Sequence, residues 1–283
     1  MSRLPLSAVL ITRNAAAQFP ACLESLAFCA EIVVVDSGST DETVEIAQAA
    51  GARVIHQDWL GYGPQKQFAV DQAAHDWVLC VDADERVSER LRERILAVLP
   101  ALKEHAGPPQ VLPGPLGGGR GLAATSGGAF FHAYRFPRCN RFLGRYLRHG
   151  EGYPDWSLRL FDRRHARWSD DVVHEKVVAD GPVGTLAGDL LHDSAETLEH
   201  YLAKQDRYTT LAAKAALAAG KRASLARLLF SPSIRFVKFF FLRLGFLDGL
   251  PGLVHILIGC RNSHAKYVKM RGIQRNTPRG IPS

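Results

Sequence analysis

The chain has 283 residues, 47% of them hydrophobic, and a formal charge of +7. That is ample for a real core, either one large α/β domain or a domain with an appendage, and the excess charge concerns partners rather than fold. Five scattered cysteines with no C-x-x-C pair argue against a disulfide framework or a zinc site and fit a reducing compartment. The apolar run that ends by Ile11 is short for a signal peptide, lacks a small-residue cleavage pattern, and reads as a first β-strand over 6–11. Residues 19–29 carry helical spacing, and 31–35 are β-branched and unbroken, as in a strand buried on both faces. Asp41 opens a helix to Ala50 that Gly51 closes, followed by a strand over 53–56. Pro64 begins a helix through Ala74, tolerated in its first turn. A fourth strand covers 77–81, and Ser88 caps a helix to about Leu99. Repeated β-α units predict a parallel sheet with right-handed crossovers, and ligands of such sheets bind at the carboxyl ends of the strands. Asp36 and Asp82 both fall at such ends.

Residues 105–128 hold glycine and proline breakers in series and read as a flexible insertion. Short strands are expected from Phe130 to Leu191, and helix after Ser194 to about Ala219. Two domains follow, 1–193 catalytic and 194–283 helical. Within the latter, 225–260 interleaves six phenylalanines and many leucines with Arg227, Arg235, Lys238 and Arg243. Arg243 and Asp248 break its best apolar stretch below the ~18 residues of a spanning helix. A basic, aromatic amphipathic helix in a membrane interface is the reading, against a helix packed on the catalytic domain. Nucleic acid is the weakest partner class, because no DNA- or RNA-binding motif is present.

Chemistry concentrates in the run from Trp77 to Glu85, an apolar strand ending in Asp82-Ala83-Asp84. In extended backbone these aspartates point to one side, and their oxygens suit Mg²⁺ or Mn²⁺ shared with a substrate's phosphates. For an isolated D-x-D the better reading is an acidic loop that caps the next helix, and what precedes it in the chain changes that balance. Upstream, 33–41 deliver Asp36 from a buried strand into a Ser37-Gly38 turn, placed to accept hydrogen bonds from a base N–H or a ribose hydroxyl.

The pair VVVDSGSTDET and WVLCVDADE resembles the nucleotide-binding half of the family 2 glycosyltransferases, which have the GT-A fold. Gly61-Tyr62-Gly63-Pro64-Gln65-Lys66-Gln67, Tyr153-Pro154-Asp155, Leu158-Arg159-Leu160-Phe161, Val173-His174-Glu175, His192 and Gly245-Phe246-Leu247-Asp248-Gly249 are similar to the lipopolysaccharide inner-core β-1,4-glucosyltransferase subgroup. The resemblance implies a Rossmann-like, mostly parallel central sheet with a helical C-terminal appendage. It implies inverting transfer of a hexose, glucose first, from a UDP-sugar to a heptose of the lipid A-linked core. The enzyme would be cytoplasmic and peripheral to the inner membrane. Thr12, Asn14, Asp36, Lys66 and Asp82 would hold the donor nucleotide, and Asp82, Asp84 and His192 the metal. Glu175 would be the base with Asp155 as runner-up, and Arg159 would meet an acceptor phosphate. Ala15 stands where relatives often carry Glu, and Gln67 where they often carry Asn. Other envelope glycans or lipid-linked sugars are alternative acceptors. A nucleotidyltransferase would need a glycine-rich loop that 11–15 lacks, and a dehalogenase-like phosphatase would place its D-x-D on an early strand.

Overall fold

The computed structural model describes residues 4–104, 131–170, 175–193 and 197–276. The insertion expected over 105–128 lies outside the described residues. Two compact units divide the chain, residues 1–138 with 156–192 and residues 139–155 with 193–283. A boundary near 193 is therefore joined by a second one, because 139–155 group with the C-terminal helices rather than with the sheet.

In the first unit, β1 (Leu4–Thr12), α1 (Phe19–Ser25), β2 (Cys29–Asp36), α2 (Thr43–Ala49), β3 (Arg53–His56), α3 (Tyr62–Asp71) and β4 (Trp77–Cys80) alternate as predicted. There follow β5 (Glu85–Val87), α4 (Glu89–Glu104), β6 (Ala133–Phe142, which passes into the second unit), and in the second unit β7 (Arg145–Tyr146). Then come β8 (Asp155–Asp162), β9 (Ala166–Trp168), β10 (Val177–Ala179), β11 (Val183–Thr185) and β12 (Leu190–His192). The sheet order is β3-β2-β1-β4-β8-β6-β12-β5. Its first four strands are parallel, while β8 runs antiparallel to β4 and β12 antiparallel to β5. The α/β class and mostly parallel sheet match the expectation from the β-α repeat.

Alternation along the strands sorts the core. Leu6, Ala8 and Leu10 of β1, Val34 of β2 and Leu79 of β4 join one cluster with Phe19 and Leu23 of α1 and Leu91 and Ile95 of α4. Val9, Val33, Val35, Val78 and Cys80 point to the opposite face, where Ala69 and Val70 of α3 and Trp168 of β9 cover them. Each of these large side chains contributes roughly 1.5–3 kcal/mol on burial. All five cysteines are buried free thiols.

Several predicted boundaries shift. The helix expected over 19–29 stops at Ser25, because the Cys29 N–H donates to Leu26 O (2.9 Å) and the turn delivers Cys29 to β2. The helix after Asp41 begins at Thr43, whose N–H donates to the Asp41 side chain (3.1 Å). Pro64 sits inside the first turn of a helix that starts at Tyr62 and ends at Asp71. Ser88 does cap α4, accepting from the Leu91 N–H (3.3 Å).

The second unit adds α5 (Leu198–Ala218), α6 (Leu225–Phe236), a π-helical segment Val237–Leu242, a 3₁₀ turn Gly245–Asp248 and α7 (Gly249–Asn276). Ala213, Ala216 and Met270 form its core between α5 and α7. The single amphipathic helix expected over 225–260 is thus broken. Among the described residues no single helix is long and apolar enough to cross a membrane, and Leu225–Leu242 meets Gly245–Arg275 at a bend of 75°.

Candidate active site

The carboxyl edge of the parallel strands gathers most of the residues singled out above. Thr12 and Asp36 are register partners at the ends of β1 and β2. Asp36 is buried, and its Oδ2 accepts from the N–H groups of Gly38 and Ser39, each at 2.9 Å. Gly38 makes that turn at φ +86°, where other side chains are strained. Asn14 laces the neighbouring loop to it: its Oδ1 accepts from the Thr40 N–H (2.8 Å) and its N–H donates to Ser39 Oγ (2.9 Å). Asn14 therefore spends its side-chain carbonyl on shaping the edge. Thr12 Oγ1, beside Asp36, is buried with no hydrogen-bond partner among the described residues. An orphaned hydroxyl at this edge is an open polar contact for a ligand.

Beyond β4, Asp82 lies between two buried cations. Lys66 Nζ stands 3.2 Å from its Oδ1 and Arg159 Nη2 2.8 Å from its Oδ2. Burial would raise the Asp82 carboxyl, but Arg159 and then Lys66 outweigh it and hold the group well below the usual carboxylate range. Lys66 also reaches Glu175 Oε1 at 3.4 Å. Trp168 lies under both cations, 4.8 Å from Lys66 Nζ and 5.4 Å from the Arg159 guanidinium carbon. The structure thereby brings Asp82, Lys66 and Glu175 together across 109 residues of sequence.

Glu85, the residue after the D-x-D, is fully buried. It closes the turn twice: its N–H donates to Asp82 O (2.9 Å), and its Oε2 accepts from the Asp82 N–H (3.0 Å). Its Oε1 lies 3.5 Å from both Arg138 and Arg159. Burial pushes its carboxyl up, partly offset by Arg159.

Asp84 and His192 meet at 3.2 Å, Oδ2 to Nε2. The antiparallel register of β5 and β12 pairs His192 with Glu85 and so fixes this contact. A half-exposed carboxylate beside an imidazole offers two ligand types that Mg²⁺ or Mn²⁺ accepts, with positions open to phosphate oxygens. A separate cluster, His132, Asp162 and His165, has ligand atoms within 4.8 Å of one another. It stands at the other end of β4, where Asp162 registers with Trp77. Arg164 already holds both Asp162 oxygens (2.9 Å to Oδ1, 2.6 Å to Oδ2), and the two imidazoles stack at 3.9 Å. Stacked rings direct their in-plane lone pairs side by side rather than at one point.

Arg159, expected to meet an acceptor phosphate, is committed to Asp82 and Glu85. Asp155 opens β8 and belongs to the second unit. Sequence reasoning passed over Glu85 and Trp168 as site residues, and it set Arg138 beside Arg159 as a fork for an acceptor phosphate, whereas Arg138 faces Glu85. For Glu85 the signal was present, an acid directly after D-x-D in an apolar setting. Trp168 lies in a three-residue strand that no local pattern marks.

The model of a family described as Glycosyl transferase family 2 matches residues 7–111. The chain is 35% identical over 264 residues to the lipopolysaccharide core biosynthesis glycosyltransferase LpsC of Rhizobium meliloti, covering 91% of this chain and 88% of that protein. It is 27% identical to an uncharacterized glycosyltransferase of Rickettsia prowazekii, covering 98% of this chain and 90% of the relative. Among solved structures it is similar to S. aureus TarS in complex with UDP, at 12% identity and a TM-score of 0.42 over 98% of this chain and 94% of that one.

Proposed function

The chain belongs to glycosyl transferase family 2, and we propose that it is a metal-dependent, inverting hexosyltransferase that uses a UDP-sugar, glucose first. The acceptor is a heptose of the lipid A-linked lipopolysaccharide core, a reading that rests on the likeness to LpsC. The observation that carries the mechanism is Lys66, shared between Asp82 at the sheet edge and Glu175. Thr12 and Asp36 line the nucleoside end, with Asn14 shaping the loop they share. Asp84 and His192, with the remaining lone pairs of Asp82, would hold Mg²⁺ or Mn²⁺. Such an ion supplies Lewis-acid neutralisation of the departing diphosphate.

The chain's own residues do the rest. The donor's phosphates compete for Lys66, which frees Glu175 to face the acceptor hydroxyl. Glu175 takes the hydroxyl proton as the acceptor oxygen bonds to the sugar's anomeric carbon. The bond from that carbon to the diphosphate breaks on the opposite face and UDP leaves with the electron pair. One base suffices and no sugar–enzyme bond forms. The lipid-linked acceptor places the enzyme at the cytoplasmic face of the inner membrane, bound peripherally through residues 194–283.

Incubation with a panel of nucleotide sugars and core-truncated lipopolysaccharides, with UDP release as readout, tests this reading. Glu175→Gln should lower kcat by roughly 10²–10⁴ with little change in UDP binding. Asp84→Ala should abolish metal-dependent UDP binding. Full transfer by Asp84→Ala would sink the metal assignment, and normal turnover by Glu175→Gln would move the base to Asp155.

A further inference from the structure

Residues 221–247 carry six cations, Lys221, Arg222, Arg227, Arg235, Lys238 and Arg243, and no carboxylate. Arg235 is neutralised by Glu151. The other five are exposed. A surface helix of a globular protein turns its apolar stripe inward, yet α6 and the π-helical segment after it contain no buried residue. Leu229, Phe230 and Ile234 are each more than 60% exposed, and exposure peaks where the chain bends, at Leu242 (75%) and Leu250 (70%).

That bend is built rigidly, so its leucines cannot fold inward. Leu244 sits in the left-handed region at φ +54°. A Cβ on Gly245 would stand 2.4 Å from Ile256 Cδ1 and 2.6 Å from Phe239 O, and one on Gly252 2.6 Å from Asp248 Cβ. Buried Asp248 accepts from the N–H groups of Arg148 (2.9 Å) and His149 (2.8 Å) and pairs with His149 Nδ1 (3.0 Å). Arg145 donates to Leu247 O (3.0 Å) and Arg243 to Tyr153 O (2.9 Å).

We propose that this corner, with the outer stripe of α6, is a preformed wedge that seats in an anionic lipid surface without spanning it. The inference deepens the reading above, on whose membrane-borne acceptor it rests, by naming the surface and its partner. The 75° bend rules out a straight span. Leucines at the corner enter the acyl boundary while the flanking arginines and lysines meet head-group phosphates. A second copy of the chain fits worse. A two-fold contact brings the same patch to itself, facing five exposed cations with five more.

The test is co-sedimentation of the full chain with phosphatidylcholine vesicles that contain or lack phosphatidylglycerol. The wild type should bind the anionic vesicles, less tightly as salt rises. Leu242→Ser with Leu250→Ser should weaken that binding at least about tenfold. Both side chains are exposed, so the thermal transition, and UDP release with a delipidated core acceptor, should stay as in the wild type. The wedge is overturned if the double variant binds like the wild type, or if the wild type binds neither vesicle. It is also overturned if the chain is a dimer in solution that the same substitutions dissociate. Vesicle binding without UDP release from any donor would instead overturn the glycosyl-transfer reading and leave the wedge standing.

Discussion

Glu85 holds the D-x-D turn in shape from inside the protein. Its carboxylate satisfies the Asp82 N–H and faces two guanidinium groups with no exposure to water. Removing one partner of a buried charge cluster costs far more than the cluster contributes, because the remaining charges are left uncompensated. Glu85→Ala should therefore lower the unfolding free energy by about 3–5 kcal/mol. Glu85→Gln keeps an oxygen for the Asp82 N–H and should recover a good part of that loss. Urea unfolding measures the first effect. Metal titration of UDP binding tests the second, with the glutamine variant holding its metal affinity closer to wild type than the alanine variant does. Equal losses in both variants would show that charge, not turn closure, is what Glu85 supplies.

At the scale of elements, chain-local signals and long-range ones separate cleanly. The β-branched run of β2 and the Ser88 cap of α4 were legible because each is written in adjacent residues. So were Asp36 and Asp82, since strand ends fix which edge they occupy. Lys66, Glu175 and His192 were singled out by motif, but that Lys66 bridges Asp82 and Glu175 depends on packing across the sheet, which no window of sequence contains. The β8 and β12 reversals were illegible for the same reason: a short strand states its type but not its neighbour. The break in the C-terminal helix had a local signal, glycines at 245, 249 and 252, whose need is steric. Gly245→Ala would drive a methyl group into Phe239 O and Ile256. Overpacking of this kind costs typically ~1–3 kcal/mol. Calorimetry should show a lower transition temperature for Gly245→Ala and no such loss for Gly272→Ala, whose Cβ would meet nothing within 4 Å. A transition temperature for Gly245→Ala equal to wild type would show that the corner relaxes freely.

On the scale of the whole molecule, the two units answer to pH through different groups. In the second unit burial, reinforced by Arg235, holds His255 of α7 below the ordinary imidazole value, against the rings of Phe142 and Tyr201. A base depressed on folding binds fewer protons in the folded state than in the unfolded one. Its contribution is present above the unfolded value near ~6.5 and is lost as pH falls through the folded value. In the first unit Asp82 is depressed too, so its contribution is present above the unfolded value near ~3.9 and is lost only in stronger acid. Glu31 and Asp162 are also lowered and act in the same direction, whereas Glu85 is raised and opposes them. Acidification should therefore weaken the second unit before the first. The probes are already in place, because all four tryptophans, Trp59, Trp77, Trp156 and Trp168, belong to the first unit. The long helices α5 and α7 belong to the second. Between neutral pH and about pH 5, the thermal transition followed by helical circular dichroism should move down while the one followed by tryptophan fluorescence stays put. His255→Gln should flatten the first of these shifts. Transitions that coincide at every pH would mean that the units unfold as one cooperative body, and that His255 is felt by the whole chain.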